Sequence, residues 1–278
     1  MEFKNKEVRY TNKEELLLKA SSAVGKRVSA FNIKHRSLSK NNKGVIGQIV
    51  EEGVFGYPPN PNPEADFPDL GVELKVTGLE FKSHELRVKE RLVLNIINYM
   101  DEANVDFEHS SFWLKNKLLL LLFYLYESER DDCDFKFLEA VLHSFSKKDL
   151  EIIKNDWQII HNKILAGLAH TISEGDTQYL GAVSKGQGHG KDLREQPFSN
   201  VKAKQRAYSL KKSYMNAVVS SVFAKETLGE TIGTEELLKI IWKGYKNGIE
   251  LLEEIENLYK ITLKEHILIL QLKIAMNE

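Results

Sequence analysis

The chain has 278 residues, 42% of them hydrophobic, with a formal net charge of -1 and a pI near 6.7. That is enough for one large domain or two small ones with a real core, and it excludes a globally basic nucleic-acid binder, so any basic surface has to be local. A single cysteine, Cys133, excludes an internal disulfide framework and a cysteine-rich zinc site.

The N-terminus has no apolar signal core, and the most apolar run, 118–126, is about half of the roughly 18 residues a spanning helix needs. The expectation is a cytoplasmic bacterial protein with no membrane contact. The first 43 residues carry eleven Lys or Arg against four Glu, and Leu16, Leu17, Ala20, Ala23 and Val24 recur at helical spacing, which predicts a basic amphipathic helix. Residues 53–71 hold five of the six prolines and are expected to form a loop without regular structure. From Gly71 the pattern alternates, with Val72, Leu74 and Val76 on one face and Glu73, Lys75 and Thr77 on the other, which predicts a strand. Residues 92–99 and 118–126 are apolar runs that read as interior strands. Helical periods follow over 148–170 and 208–223. Between them, 173–199 is rich in glycine and polar residues and reads as a loop around Gly186-Gln187-Gly188-His189-Gly190. The region from Lys185 to Lys212 holds eight Lys or Arg and two acids, a local basic patch. Beyond Lys225 the chain turns acidic and helical, a possible linker or interface.

Phosphodiester hydrolysis needs an activated water and neutralisation of a negatively charged leaving oxygen; a divalent ion held by carboxylates serves both ends. Asp66-Phe67-Pro68-Asp69-Leu70-Gly71-Val72-Glu73-Leu74-Lys75 supplies such a set. Asp66 lies in the loop entering the strand, and Glu73 and Lys75 are two apart on one face. Glu73 can therefore bind metal while Lys75 points at the attacking water, with the Leu74 carbonyl as a further oxygen. A Glu-X-Lys pair on a strand is also common as a solvated face, so the pattern alone leaves both readings open. For the basic patch, Lys185, Lys191, Arg194, Lys204, Arg206, Lys211 and Lys212 suit DNA phosphates or guanine edges, against the alternative of a solvated helix face. The histidines, His84, His109, His161, His170 and His189 among them, lack metal-ligand spacing. Cys133 sits among aspartates that disfavour a thiolate.

Together with Lys43-Gly44-Val45-Ile46-Gly47-Gln48-Ile49-Val50-Glu51 upstream, the decapeptide resembles a family made up of the mismatch-repair nicking endonuclease MutH and the GATC-cleaving type II restriction endonucleases. The likeness resumes in Gly175-Asp176-Thr177-Gln178-Tyr179-Leu180-Gly181-Ala182 and in 204–214, where it is nearer the restriction enzymes: Val183 and Ser209 stand where MutH has an arginine and a tyrosine that help read the site. The resemblance implies a restriction-endonuclease-like α/β fold with a mixed central sheet flanked by helices, two arms enclosing a DNA cleft. It implies Asp66, Glu73 and Lys75 as core catalytic residues, Glu51 as a supporting glutamate, Lys117 near the cleaved phosphate, and Mg2+ held by Asp66, Glu73 and the Leu74 carbonyl. The expected organisation is an endonuclease domain over 1–224, with a catalytic arm to about 145 and a recognition arm to 224, followed by a helical segment over 225–278. The expected activity is restriction of double-stranded DNA at GATC. MutH-like nicking and a non-cleaving DNA-binding module are the alternatives, and a homodimer or an additional C-terminal module is the expected route to a second cut.

Overall fold

Two sheets organise the computed structural model, which describes residues 10–39, 44–59, 62–82, 85–186 and 192–228. The larger holds β1 (Glu73–Lys82), β2 (Glu85–Val88), β4 (Leu118–Leu125) and β5 (Lys136–Ser144) in the order β2-β1-β4-β5. β1 and β4 run parallel, with Glu73 beside Leu119 and Leu79 beside Leu125, and the outer pairings are antiparallel. The second sheet is antiparallel, in the order β3-β9-β6, from β3 (Leu92–Ile96), β6 (Leu180–Ser184) and β9 (Arg206–Leu210). β7 (Leu193–Gln196) and β8 (Ser199–Lys204) form a separate hairpin. Helices flank these sheets: α1 (Lys13–Ser21), α2 (Val45–Ile49), the short α3 (Tyr99–Glu102) and α4 (Ser111–Asn116), α5 (Lys147–Leu165) and α6 (Lys212–Leu228). This is the mixed sheet flanked by helices of the restriction-endonuclease-like fold.

β4 explains why its sequence is an unbroken apolar run. As an interior strand it is buried on both faces, with Leu119, Leu121 and Phe123 in one core and Leu120 and Leu122 in the other. The latter core joins β1 to α1 and α2 through Leu16, Ala20, Val45, Ile49, Val72 and Leu74. The former spans both expected arms, since Leu79, Leu92 and Phe112 pack with Trp157, Tyr208 and Met215. Two buried carboxylates brace this arm-spanning core. Glu102 Oε1 accepts from Trp157 Nε1 (2.9 Å) and Tyr208 Oη (2.7 Å), and its Oε2 accepts from Ser111 Oγ (2.9 Å), which ties α3, α4, α5 and β9 together. Asp156 of α5 accepts the amides of Gln178, Tyr179 and Leu180 at 2.6–2.8 Å and so fixes where β6 begins. Buried polar groups with full sets of partners specify geometry rather than merely tolerating burial.

Several sequence expectations change. Residues 53–71 are not wholly irregular: a π-helical turn runs on from α2 through Val50–Phe55, and a 3-10 turn covers Pro68–Leu70. Glycine explains the first of these. A Cβ on Gly53 would stand 1.9 Å from the carbonyl oxygen of Phe31, so the turn can seat there only without one. The expected strand over 92–99 ends at Ile96, because Asn98 caps α3 by accepting from the Met100 amide. The expected helix over 208–223 is a strand to Leu210 and then a helix from Lys212. The stretch 173–199 contains β6 and β7, with residues 187–191 outside the described set, as is the segment 229–278. β5 was not read from the sequence at all. Among the described residues no helix is long and apolar enough to cross a membrane.

Candidate active site

Glu51 joins Asp66, Glu73 and Lys75 of the decapeptide at the start of β1. Gly71, at φ +63°, turns the chain back on itself after Pro68–Leu70, and Phe67 and Val72 then exchange backbone hydrogen bonds at 2.9 and 3.2 Å. That closed turn holds Asp66 against the strand. Its amide donates to Glu73 Oε2 (3.1 Å), and its own Oδ2 accepts from the Leu74 amide (3.0 Å). In a strand the N–H and C=O of one residue point the same way, so the Leu74 carbonyl lies on the β1 edge that Asp66 occupies, opposite β4. On the adjacent face Lys75 Nζ donates to Glu73 Oε1 at 2.7 Å. Glu73 is only 2% exposed, which makes this a buried pair rather than a solvated one.

Glu51 approaches from the π-helical turn. π-Turns recur at functional sites because they displace one side chain from the regular helical ladder. Its Oε2 is buried and has no hydrogen-bond partner. Burial, then the charge on Asp66, pushes the Glu51 carboxyl up to about 7, with Glu52 and Glu73 adding to the rise and Lys75 opposing it. The Asp66 carboxyl is pushed up to about 6 by burial and then by Glu73, opposed by the Leu74 amide, Lys75 and Lys115. Three acids thus crowd one place, and Glu51 and Asp66 give up their protons at higher pH than ordinary carboxyls do.

Two further residues were not found by sequence reasoning. Lys115, at the end of α4, donates to the carbonyls of Asn62 (3.2 Å) and Glu64 (2.8 Å) and lies 3.6 Å from Glu73 Oε2, pinning the proline loop to the acids. Tyr57 packs its ring edge-on against Phe67 at 5.6 Å, and its buried hydroxyl has no partner. Burial and the charges of Asp66, Glu51 and Glu73 drive its ionisation far above the ordinary tyrosine range, so it stays a neutral hydroxyl. Both contacts depend on how residues 56–59 and 62–66 fold, which no local pattern announces. Lys117 differs: it caps α4, is exposed, and runs its side chain past Gly71. Next to the site Glu52 is buried and paired with Arg36 and Lys34 at 2.6 and 2.8 Å; these hold its carboxyl down to about 2.

The donor set suits a small oxygen-seeking cation. It offers Asp66, Glu73, the Leu74 edge and an orphaned Glu51 oxygen that a metal-bound water could satisfy. Among the described residues no three acid, histidine or cysteine side chains enclose an ion by themselves. Magnesium needs no such cage, since it keeps several waters and takes one or two carboxylates.

The basic patch is spread over several elements. Lys185 follows β6, donates its amide to Gln205, and lines a cavity of about 370 Å³ that Lys75 also lines. Lys204 and Lys212 are exposed, while Arg194 is exposed on β7 with its guanidinium donating to the Leu193 carbonyl. Arg206 Nη1 donates to the Ala182 carbonyl at 2.6 Å within the sheet. Lys211 is committed inward, since its ammonium donates to the carbonyls of Glu174 (2.6 Å) and Thr177. Lys191 lies outside the described residues. Ser209 is fully buried beside Gly181 and therefore presents no hydroxyl to a ligand.

Comparison with known proteins gives three findings. The family model described as DNA mismatch repair enzyme MutH matches residues 55–156, which include Asp66, Glu73, Lys75 and Lys115 but not Glu51. The type II restriction enzyme Sau3AI of Staphylococcus aureus is 42% identical over 224 residues, covering 80% of this chain and 44% of that protein. The DNA mismatch repair protein MutH of Shewanella amazonensis is 31% identical over 136 residues (48% of this chain, 58% of that protein), and that of Vibrio parahaemolyticus is 26% identical over 196 (69% and 78%). The chain therefore spans under half of the restriction enzyme's length.

Proposed function

We propose, from the premise that this chain carries a MutH-family domain at residues 55–156, that it is a divalent-metal-dependent endonuclease that cuts double-stranded DNA at GATC as a restriction enzyme. The observation that carries the reading is the buried Asp66–Glu73–Lys75 cluster with the unpartnered Glu51 oxygen beside it. A surface Glu-X-Lys pair has no reason to be 2% exposed or to gather two more acids around it. The greater identity and coverage of the restriction enzyme favour restriction over repair nicking.

Asp66, Glu73 and the Leu74 carbonyl would hold magnesium, which when bound would supply charge neutralisation at the phosphate and a more acidic water. Lys75 would orient the attacking water and, having first given its own proton to solvent, help take one from it. Glu51, protonated more readily than an ordinary carboxyl, accepts a hydrogen bond from solvent at the same place once ionised. Lys117, exposed past Gly71, meets the phosphate from the open side, and Lys115 keeps the Asp66 loop in register with β1. Lys185, Lys191, Arg194, Lys204, Arg206 and Lys212 supply the basic surface on the recognition side.

The test is cleavage of a GATC-containing plasmid by purified protein. Magnesium is expected to support cutting, calcium to support binding without cutting, and Glu73→Ala to lower the rate by at least about 10³-fold while leaving calcium-supported binding in place. Undiminished cutting by the Glu73→Ala protein would remove the assignment. Comparing unmethylated, hemimethylated and fully methylated plasmid separates restriction from repair nicking, because a restriction enzyme cuts both strands of the unmethylated site.

A further inference from the structure

The cavity beside the acid cluster has a wall that the catalytic reading leaves unused. One side is β1 from Lys75 to Gly78 with Lys185 after β6; the other is the turn between β2 and β3, which brings Lys89, Glu90 and Arg91 to the lining. Four cations from three separate segments therefore face about 370 Å³ of space, within the size range of small-ligand sites. One acid, Glu90, joins them in the lining, and it is mostly solvent-exposed.

Neither Lys89 nor Arg91 is explained by packing alone. Lys89 Nζ sits 3.8 Å above the Tyr126 ring and 3.5 Å from Glu90 Oε1, so the ammonium itself is held over an aromatic face while the side chain stays one-third exposed. Arg91 pairs with Glu174, the residue whose carbonyl Lys211 holds. That pair joins the turn between β2 and β3 to the 3-10 turn Glu174–Asp176 that precedes β6. Positive charge so fixed by aromatic and ionic contacts is preorganised for an anion rather than mobile in solvent.

We propose that this cavity is a phosphate-binding subsite, in which Lys89 and Arg91 grip the DNA backbone next to the phosphodiester presented to Lys75. The inference rests on the DNA-cutting reading and deepens it. DNA is favoured over a free nucleotide because the cavity shares Lys75 with the acid cluster, so a backbone phosphate held by Lys89 and Arg91 would be a neighbour of the one presented to that lysine.

The experiment measures binding of a 25-base-pair duplex with one GATC site, in calcium, across a salt series. Each phosphate contact removed is expected to make the slope of log K against log salt shallower by about 0.9. The Lys89→Met/Arg91→Met protein should therefore lose between one and two units of slope, with several-fold weaker binding at about 0.1 M salt; Lys89→Met alone should lose up to one. Lys147→Met, at an exposed lysine that opens α5 away from the lining, should lose none. Melting temperatures accompany each variant, and the single Lys89→Met substitution keeps the test intact if loss of the Arg91–Glu174 pair unfolds the double. If the unaltered chain binds and the Lys89 and Arg91 slopes match it, the subsite is wrong while the nuclease reading stands. If the unaltered chain does not bind duplex at all, both fall. Release of the duplex by millimolar deoxynucleoside monophosphate from the unaltered protein, but not from the double variant, would assign the cavity to free nucleotide and overturn the backbone role.

Discussion

Glu51 shows how a residue whose role no local spacing reveals acquires one from its surroundings. Its raised carboxyl means that, without metal, the folded chain keeps a proton that the unfolded chain has already released above the ordinary glutamate value. Stability linked to Glu51 and Asp66 is therefore greatest below that ordinary range and is lost as pH rises through about 6 to 7. The metal-free protein is expected to melt at a lower temperature at about pH 7.5 than at about pH 5, and Glu51→Gln should flatten much of that fall. A fall of the same size in Glu51→Gln would show that the proton sits elsewhere. Because ligating carboxylates must be deprotonated, added magnesium should raise the melting temperature more at the higher pH. The two lysines of α4 divide in the same physical way. Lys115→Met should raise the magnesium concentration needed for half-maximal cutting by roughly 10–100-fold, as removal of a residue supporting metal ligands does. Lys117→Met should leave that midpoint in place and lower the salt dependence of DNA binding by about one contact. Asp66, Glu73 and Lys75 were legible because strand alternation brings two of them to one face. Lys115 was not, since its contacts at Asn62, Glu64 and Glu73 exist only after the proline loop has folded.

At the level of elements, legibility followed how far each segment depends on its neighbours. β1, β4 and α5 declare themselves by alternation, by continuous apolarity and by a helical period, and each is present at its pattern, although α5 ends at Leu165 rather than at 170. β9 and α6 were merged because Tyr208 and Leu210, spaced for a strand, run into Tyr214, Met215, Val218 and Val219, spaced for a helix, with only Lys211 between them. β6 was lost among glycines because its edge is defined from a distance, by the three amides that Asp156 receives. Asp156→Ala leaves those three amides, one buried and two part-buried, without their acceptor, and each such loss costs about 1–3 kcal/mol. A fall in stability of about 3 kcal/mol or more by denaturant titration is expected; a loss under about 1 kcal/mol would mean that water replaces the carboxylate. The π-helical turn makes a second test at this scale. Gly53→Ala forces the turn away from Phe31 and so moves Glu51. It should cost about 1–3 kcal/mol, as overpacking does, and slow cutting beyond what the loss of folded protein accounts for. Equal specific activity per folded molecule would mean that Glu51 does not depend on the turn's exact seating.

The whole molecule sets a limit that neither residues nor elements reveal. GATC reads the same on both strands, so complete restriction requires two phosphodiester cuts related by a two-fold axis, whereas the described residues contain one Glu51–Asp66–Glu73–Lys75 cluster. Two-fold symmetric sites are ordinarily met by two-fold symmetric proteins. The chain also spans only 44% of the similar restriction enzyme, which leaves room for a second module in a protein of that length. If one copy of this chain acts alone, each encounter makes one nick, and open-circular plasmid accumulates before linear product appears. If two copies assemble on the site, linear product forms without a pronounced lag, and its rate rises more steeply than first order in protein concentration. The expected outcome for the chain by itself is the first at low concentration and the second as concentration rises. A time course of supercoiled, nicked and linear plasmid over about a hundredfold range of protein distinguishes them. Linear product that appears without a nicked intermediate and stays strictly first order at every concentration would instead place both cuts within a single copy, and would require a second acid cluster beyond the one described.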